Sequence, residues 1–234
     1  MRRGLRISSS LSLYGFHFSQ PTRSIKLLLS ENKIDYDFKV VDALKGENRK
    51  PEFLKFHPAG LVPVIDDSGF VLGETCAILS YLCESRGLED YFPKDSKVRA
   101  KINFWLHWHH GNTRKSTKEV LVPSVLFPSK INPEEVIQKG LKAYTKSIMF
   151  LENHLKQQGS NKFIAGTDNI TIADLIIITE LDQLKMGVFD LFDYKTKSPA
   201  VETYMNLVQQ MLPISYDEIL QPVIELANKK LGKS

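Results

Sequence analysis

The sequence predicts an α/β unit of β-α-β and then β-β-α order, followed by an all-helical unit. Three observations predict it. Strand-like and helix-like apolar periods alternate as far as Tyr91, and helical periods alone follow. Proline and glycine fall mainly between these segments. Finally, 234 residues at 42% hydrophobic and 25% charged are enough to bury one large core or two modest ones. The same composition excludes a disordered or collagen-like chain. The longest aliphatic run, Leu175 to Ile178, is far short of the ~20 residues a membrane span needs, so no crossing is expected.

Residues 1–10 are basic and serine-rich, and a short tail is expected there. An Arg- and Ser-rich mitochondrial-type leader is the alternative. Leu11 to Phe18 alternate loosely and read as a strand. Ser19-Gln20-Pro21 interrupts it as a helix start, and Ile25, Leu28, Leu29 and Asn32 follow at helical spacing. Tyr36 to Val41 make a second strand, parallel to the first if both share a sheet. Leu61 to Ile65 and Phe70 to Leu72 flank Asp66-Asp67-Ser68-Gly69, which reads as a hairpin turn. A helix starts around Glu74-Thr75, carries Ile78, Leu79 and Leu82 inward, and ends near Gly87. That order is the order of a thioredoxin-like domain. Helices are then expected over 95–121, 133–158, 171–187, 198–211 and 217–231, with Pro123, Pro128 and Pro133 punctuating the first gap. The expected organisation is a tail over 1–10, a thioredoxin-like domain over 11–91, a linker over 92–97 and an all-helical domain over 98–234.

Net charge is +4, from 31 basic and 27 acidic residues. Residues 1–91 balance 12 basic against 12 acidic, so the excess is thin and spread out, and a nucleic-acid surface is not expected. No acid occurs before Glu31. Cys76 and Cys83 stand about 10 Å apart along a helix, too far for a disulfide, and read as buried reduced thiols. His107 and His110 share a helix face, with His109 between them, but no third ligand is apparent and no metal site is expected.

Three segments suggest chemistry. Ser19 sits where a strand enters a helix, so its hydroxyl is either a plain N-cap or a donor to an anion at the helix end. Pro63 opens a strand, where trans is the default and no function is needed. Glu74-Thr75 precedes another helix and reads on its own as a cap. Thr171 and Asp174 form an acidic relative of the capping box at the start of an almost wholly apolar, hence buried, helix.

Taken in order, strand–Ser19-Gln20-Pro21–helix, His57-Pro58-Ala59-Gly60-Leu61-Val62-Pro63, Gly73-Glu74-Thr75-Cys76 and a helical domain resemble the cytosolic glutathione transferases. The likeness is greatest to the theta class, where a serine in an S-Q-P context replaces the tyrosine of other classes. Trp108 to Lys115 is similar to that class's W-x-H-x-x-x-R-R segment, and Thr171 to Leu175 to the family's [ST]-x-A-D helix start. The resemblance spans roughly residues 11–231.

The resemblance implies an enzyme with glutathione as co-substrate and no cofactor. Ser19 would stabilise the glutathione thiolate, which attacks halides or epoxides or reduces hydroperoxides, and Arg114 would supply a cation. A cis Pro63 would leave the Val62 backbone to pair with the cysteinyl part, while Thr75 and Glu74 would hold the γ-glutamyl end. Gln20, Asn48 and Leu61 complete the implied glutathione set. Phe18, Val122 and Phe127 are candidate walls of an electrophile pocket between the domains. A cytoplasmic homodimer is expected. Two departures weaken the glycyl clamp: Leu61 stands where the family often has lysine, and Asn48 where the theta class often has histidine. Lys45, Arg49 and Lys50 are candidate replacements. Tyr14 competes with Ser19 but lies five residues earlier, inside the strand. Two other readings remain: a non-catalytic interaction module on the same fold, and a carrier of hydrophobic ligands.

Overall fold

The computed structural model describes residues 11–126, 133–159 and 162–232. The expected tail over 1–10 lies outside the described residues. Four strands, β1 (Leu11–Gly15), β2 (Asp37–Val40), β3 (Val64–Asp67) and β4 (Phe70–Gly73), form one mixed sheet in the order β2-β1-β3-β4. β1 and β2 are parallel, and β3 runs antiparallel to both β1 and β4. Helix α1 (Gln20–Glu31) makes the crossover between β1 and β2. Two 3-10 turns (Ala43–Lys45 and Glu47–Arg49) and the short α2 (Pro51–Phe56) lead to β3, and α3 (Thr75–Arg86) follows β4. Leu11 and Leu13 of β1 pack with Ile25, Leu28 and Leu29 of α1 and Ile78, Leu79 and Leu82 of α3.

The remainder is helical: α4 (Ser96–Gly111), a π-helical segment (Ser116–Leu126), α5 (Pro133–Gln158), α6 (Ile172–Leu181), α7 (Tyr194–Lys197), α8 (Pro199–Gln210) and α9 (Tyr216–Leu231). Every residue of α6 is buried, as its apolar run requires. Between α3 and α4 the backbone is held by Arg99, which donates to the Pro93 and Phe92 carbonyls and to Glu84. No helix among the described residues is long and apolar enough to cross a membrane.

The strand expected over Leu61 to Ile65 runs instead over Val64–Asp67, so Asp66 and Asp67 belong to the strand and not to the turn. Three other expected elements are markedly shorter than their periods suggest. The first strand ends at Gly15 rather than Phe18, because the chain turns back at once onto α1. A Cβ on Gly15 would lie 2.4 Å from Thr22 Cγ2, so only glycine allows this approach. The helix expected over 95–121 breaks at Asn112 (φ −127°, ψ −89°). There Asn112 Nδ2 donates back to the Trp108 carbonyl at 2.8 Å, and its Oδ1 accepts from Ser147 Oγ at 3.1 Å. The helix expected over 171–187 stops at Leu181, with Asp182 as its cap.

At the start of α6 the capping pair forms as its spacing predicts. Asp174 Oδ2 accepts from the Thr171 N–H and hydroxyl, each at 2.8 Å. Its Oδ1 accepts from the Ile164 N–H and the Tyr204 hydroxyl, each at 2.9 Å. Asp174 is fully buried, so removing it orphans four buried donors. At about 1–3 kcal/mol for each such loss, partly relieved by water, Asp174→Ala is expected to cost about 3–5 kcal/mol in urea unfolding. Thr171→Ala is expected to cost about 1 kcal/mol in the same measurement. Equal, small losses for the two variants would show that the carboxylate is not the hub.

Candidate active site

The sheet register decides which candidate residues meet. Gly15 pairs with Val40, Tyr14 with Val64, and Val64 with Gly73. The C-terminal ends of β1, β2 and β4 and the N-terminal start of β3 therefore share one end of the sheet. Ser19 follows β1, Val62-Pro63 precedes β3, Glu74-Thr75 follows β4, and the loop holding Asn48 follows β2. All four chain segments open at that end, although they are spread over more than fifty positions in sequence.

Ser19 is the N-cap of α1. Its N–H donates to the Phe16 carbonyl at 2.9 Å, and its Oγ accepts from the Thr22 N–H at a long 3.4 Å. The hydroxyl hydrogen is not consumed by that cap, so capping does not exclude donation to an anion. No acid occupies the first turn of α1 or of α3, and both helices present the positive ends of their dipoles here. The first hydrogen bond of α3 runs from Ile78 N to the Glu74 carbonyl. The Thr75, Cys76 and Ala77 N–H groups point out of the helix end. Glu74 is exposed and has φ +66°, a conformation that side-chain-bearing residues adopt at a cost of order 1–3 kcal/mol and that gathers at functional sites.

The Val62-Pro63 bond is cis, as the resemblance implied against the trans default, and Pro63 is buried. The Val62 N–H and C=O have no hydrogen bond within the described residues. Asn48 does not point out as a free group: its Nδ2 donates to the Gly60 carbonyl at 2.8 Å and shapes the loop before Val62. Beside it Arg49 Nη1 reaches the Ala59 carbonyl at 3.3 Å. Lys45 and Lys50 instead pair with Asp42 and Glu47. Leu61 is 50% exposed. The His57 ring lies so close to Gly73 that a Cβ there would be 2.7 Å from its Cε1, a contact no spacing in the sequence announced. Tyr14 sits within β1 with its ring 4.6 Å from that of Phe56, in the small cluster that also includes Val62.

Arg114 lies in the break after α4 and not on a solvated helix face. Its Nη1 donates to Glu180 Oε1 at 2.8 Å and to Gln20 Oε1 at 2.9 Å. Burial alone would push the Glu180 carboxyl up. Arg114 and His109, with hydrogen bonds from Arg114 and Ser116, outweigh that and hold it below the usual carboxylate range. Gln20 is buried, donates to Gln183, and thus ties α1 to the helical domain instead of lying open beside Ser19. Arg23 of α1, 1% exposed, donates to both Asp182 oxygens at 3.0 and 3.2 Å and to the Thr179 carbonyl at 2.8 Å. Ser24 Oγ meets Thr179 Oγ1 at 2.9 Å. The sequence reading missed Arg23, Glu180, Asp182 and Gln183. The signal was present: polar groups at the end of a helix already recognised as buried must find partners.

Phe18 packs edge-on to Phe16 at 4.9 Å. Val122 lines a cleft of about 520 Å³ with Glu119, Pro123, Val136 and Lys139, between the π-helical segment and α5. The described walls of that cleft include neither Phe18 nor Ser19, so the structure does not bring these two candidates together. Phe127 lies outside the described residues. Both cysteines are free, and burial pushes the Cys76 thiol up to about 11 and Cys83 up to about 12, which disfavours a reactive thiolate at either. His107 is exposed; the histidines brought together are His109 and His110, with Cys76 beside them.

A thioredoxin-like sheet that opens two helix N-termini at one edge, docked through α1 on a helical unit, defines a two-domain fold with a thioredoxin-like first part. Family comparison agrees. Residues 13–90 match the glutathione S-transferase N-terminal domain and residues 119–210 the C-terminal domain. The chain is 30% identical over 219 residues to human glutathione S-transferase theta-2B, covering 91% of this chain and 87% of that one. It is 34% identical over 181 residues to Arabidopsis thaliana glutathione S-transferase T1, covering 75% and 73%. The crystal structure of human glutathione transferase theta-2 in complex with glutathione and an unknown ligand superposes with TM-score 0.83 at 26% identity, covering 96% of this chain and 91% of that one. The chain belongs to the glutathione S-transferase family and groups with its theta-class members. It is a glutathione transferase.

Proposed function

We propose that the enzyme activates glutathione through the Ser19 hydroxyl and transfers the resulting thiolate to small electrophiles such as halides and epoxides, with organic hydroperoxide reduction as a side reaction. The observation that supports this most is the convergence of Ser19, Val62-Pro63 and Glu74-Thr75 at one sheet end beside two helix N-termini whose first turns carry no acid. A free thiol has a pKa of about 8.5, and lowering it by about 2 units needs about 2.7 kcal/mol of preference for the thiolate. A hydroxyl donating to a charged acceptor supplies about 1.5–3 kcal/mol, and a helix N-terminus about 0.3–1 kcal/mol. The two together match the requirement, so serine suffices as a donor and need not be the nucleophile.

In this reading the Val62 N–H and C=O pair with the cysteinyl backbone like an added strand. Thr75 takes the γ-glutamyl carboxylate through its hydroxyl and N–H, and Glu74 takes the γ-glutamyl amino group. Asn48 acts indirectly through the Gly60 loop, and Leu61 lends no charge. Arg49, which already leans over that loop, clamps the glycyl carboxylate. Arg114 shares its charge with Glu180 and steadies charge developing beside Gln20. A related theta-class human structure is a complex with the glutathione conjugate of 1-menaphthyl sulfate (TM-score 0.82), which fits a thiolate displacing a good leaving group. The electrophile enters beside Phe18. The enzyme works in the cytoplasm as a homodimer, for which the exposed rings of Phe104 and Phe150 flanking Trp105 supply apolar surface.

Ser19→Ala is expected to lower kcat/KM near neutral pH by about thirtyfold, the equivalent of about 2 kcal/mol. Tyr14→Phe should stay within about threefold. Loss of turnover in the tyrosine variant alone would overturn the assignment of Ser19. Separately, Arg49→Ala should raise the KM for glutathione about five- to tenfold with kcat little changed, as expected for loss of uniform binding. An unchanged KM would remove Arg49 from the clamp.

A further inference from the structure

Cys76 on the first turn of α3 and His109 and His110 on the last turn of α4 bring one sulfur and two ring nitrogens within 4.8 Å of one another. Cys76 Sγ and His110 Nε2 are 3.7 Å apart. A thiolate and an imidazole bound tetrahedrally to zinc, at about 2.3 and 2.0–2.1 Å, stand about 3.6 Å from each other. The pair is thus already at ligand spacing.

His109 supplies an independent observation. It is 5% exposed, and its two nitrogens face different surroundings. Nε2 lies 3.4 Å from Glu180 Oε1, while Nδ1 is buried with no hydrogen-bond partner. A buried orphan nitrogen on a ring whose other nitrogen faces a carboxylate is the arrangement of a metal-bound histidine with its supporting carboxylate.

We propose that Cys76, His109 and His110 form a three-ligand site for a thiophilic divalent cation of the zinc type, with a fourth position open to solvent through the exposed His110. One thiolate and two imidazoles favour zinc over magnesium or calcium, which prefer oxygen ligands. On binding, the Cys76 S–H bond breaks, the sulfur lone pair forms the metal bond, and one proton leaves to solvent; nothing is oxidised or reduced. Glu180, which supports His109, also accepts from Arg114, and Arg114 reaches Gln20 beside Ser19. Occupancy is therefore connected to the α1 mouth, and that consequence alone rests on the proposed role of Ser19.

The test is titration of the full chain with Co2+, followed by thiolate-to-cobalt charge-transfer absorption and competition by Zn2+. The expected result is one Co2+ per chain, a thiolate band lost in Cys76→Ser, and at least tenfold weaker binding in His110→Ala. Neither position is fully buried, and circular dichroism checks that both variants fold. The chain has one other cysteine, Cys83, so a band that persists in Cys76→Ser would overturn the proposal. So would the absence of any band in the wild type, or His110→Ala binding as tightly as wild type. These readouts do not involve turnover, so their failure is separate from failure of the Ser19 reading.

Discussion

The rest of the structure depends on how α1 is docked. Arg23, in the second turn of that helix, is buried against Asp182 at the end of α6, with Thr179 accepting from its other terminal nitrogen. A buried ion pair is weak evidence of net stabilisation, because desolvation of both charges offsets most of their attraction. Its effect is geometric. A planar guanidinium shared between a carboxylate and a carbonyl accepts one rotation of α1 about its axis and rejects others. At the opposite end of α1, Glu31 Oε1 accepts from the Ile214 and Ser215 N–H groups and from the Ser215 hydroxyl. Pinned at both ends, α1 holds its N-terminal residue in one place, and that residue is Ser19.

The polar chain continues from this interface toward the candidate site. Gln20 joins Gln183 and Arg114, Arg114 joins Glu180, and Glu180 accepts from Ser116 and Thr117. Gln20, Gln183, Glu180 and Ser116 satisfy one another within it, while Arg23 Nε and His109 Nδ1 at its edges are buried without a partner. The Ser19 hydroxyl thus stands at the edge of a largely buried polar network. The side proposed to face glutathione is the reverse: the Val62 backbone and the first N–H groups of α3 have no backbone partner among the described residues.

Much of this was legible in the sequence where the cause is local. The Thr171/Asp174 spacing specifies its own cap, the Asp66 to Gly69 segment its own hairpin, and Ser19-Gln20-Pro21 its own helix start. What sequence alone did not disclose is set by contacts that no local pattern announces. Arg23 and Asp182 are 159 residues apart, and neither has a local pattern that names the other. The break after α4 was hidden because residues 112–121 keep a helical period while Asn112 turns away to bond Trp108 and Ser147. Asn48 and Gln20 carried implied ligand roles, yet their side chains are spent on the Gly60 carbonyl and on Gln183 and Arg114. Helical spacing puts His107 and His110 on one face, but it cannot show that α3 delivers a cysteine beside His109 and His110.

The acid-free stretch before Glu31 now divides by structure into residues outside the described region and the β1–α1 junction, where a negative charge is to be accommodated. The most direct test of that account is the ionisation of glutathione on the enzyme, read as thiolate absorbance against pH for wild type and Ser19→Ala. The account predicts a wild-type midpoint about 2 units below the usual ~8.5 of a free thiol, returning most of the way in the variant. A bound thiol that titrates at its free value in the wild type would contradict it.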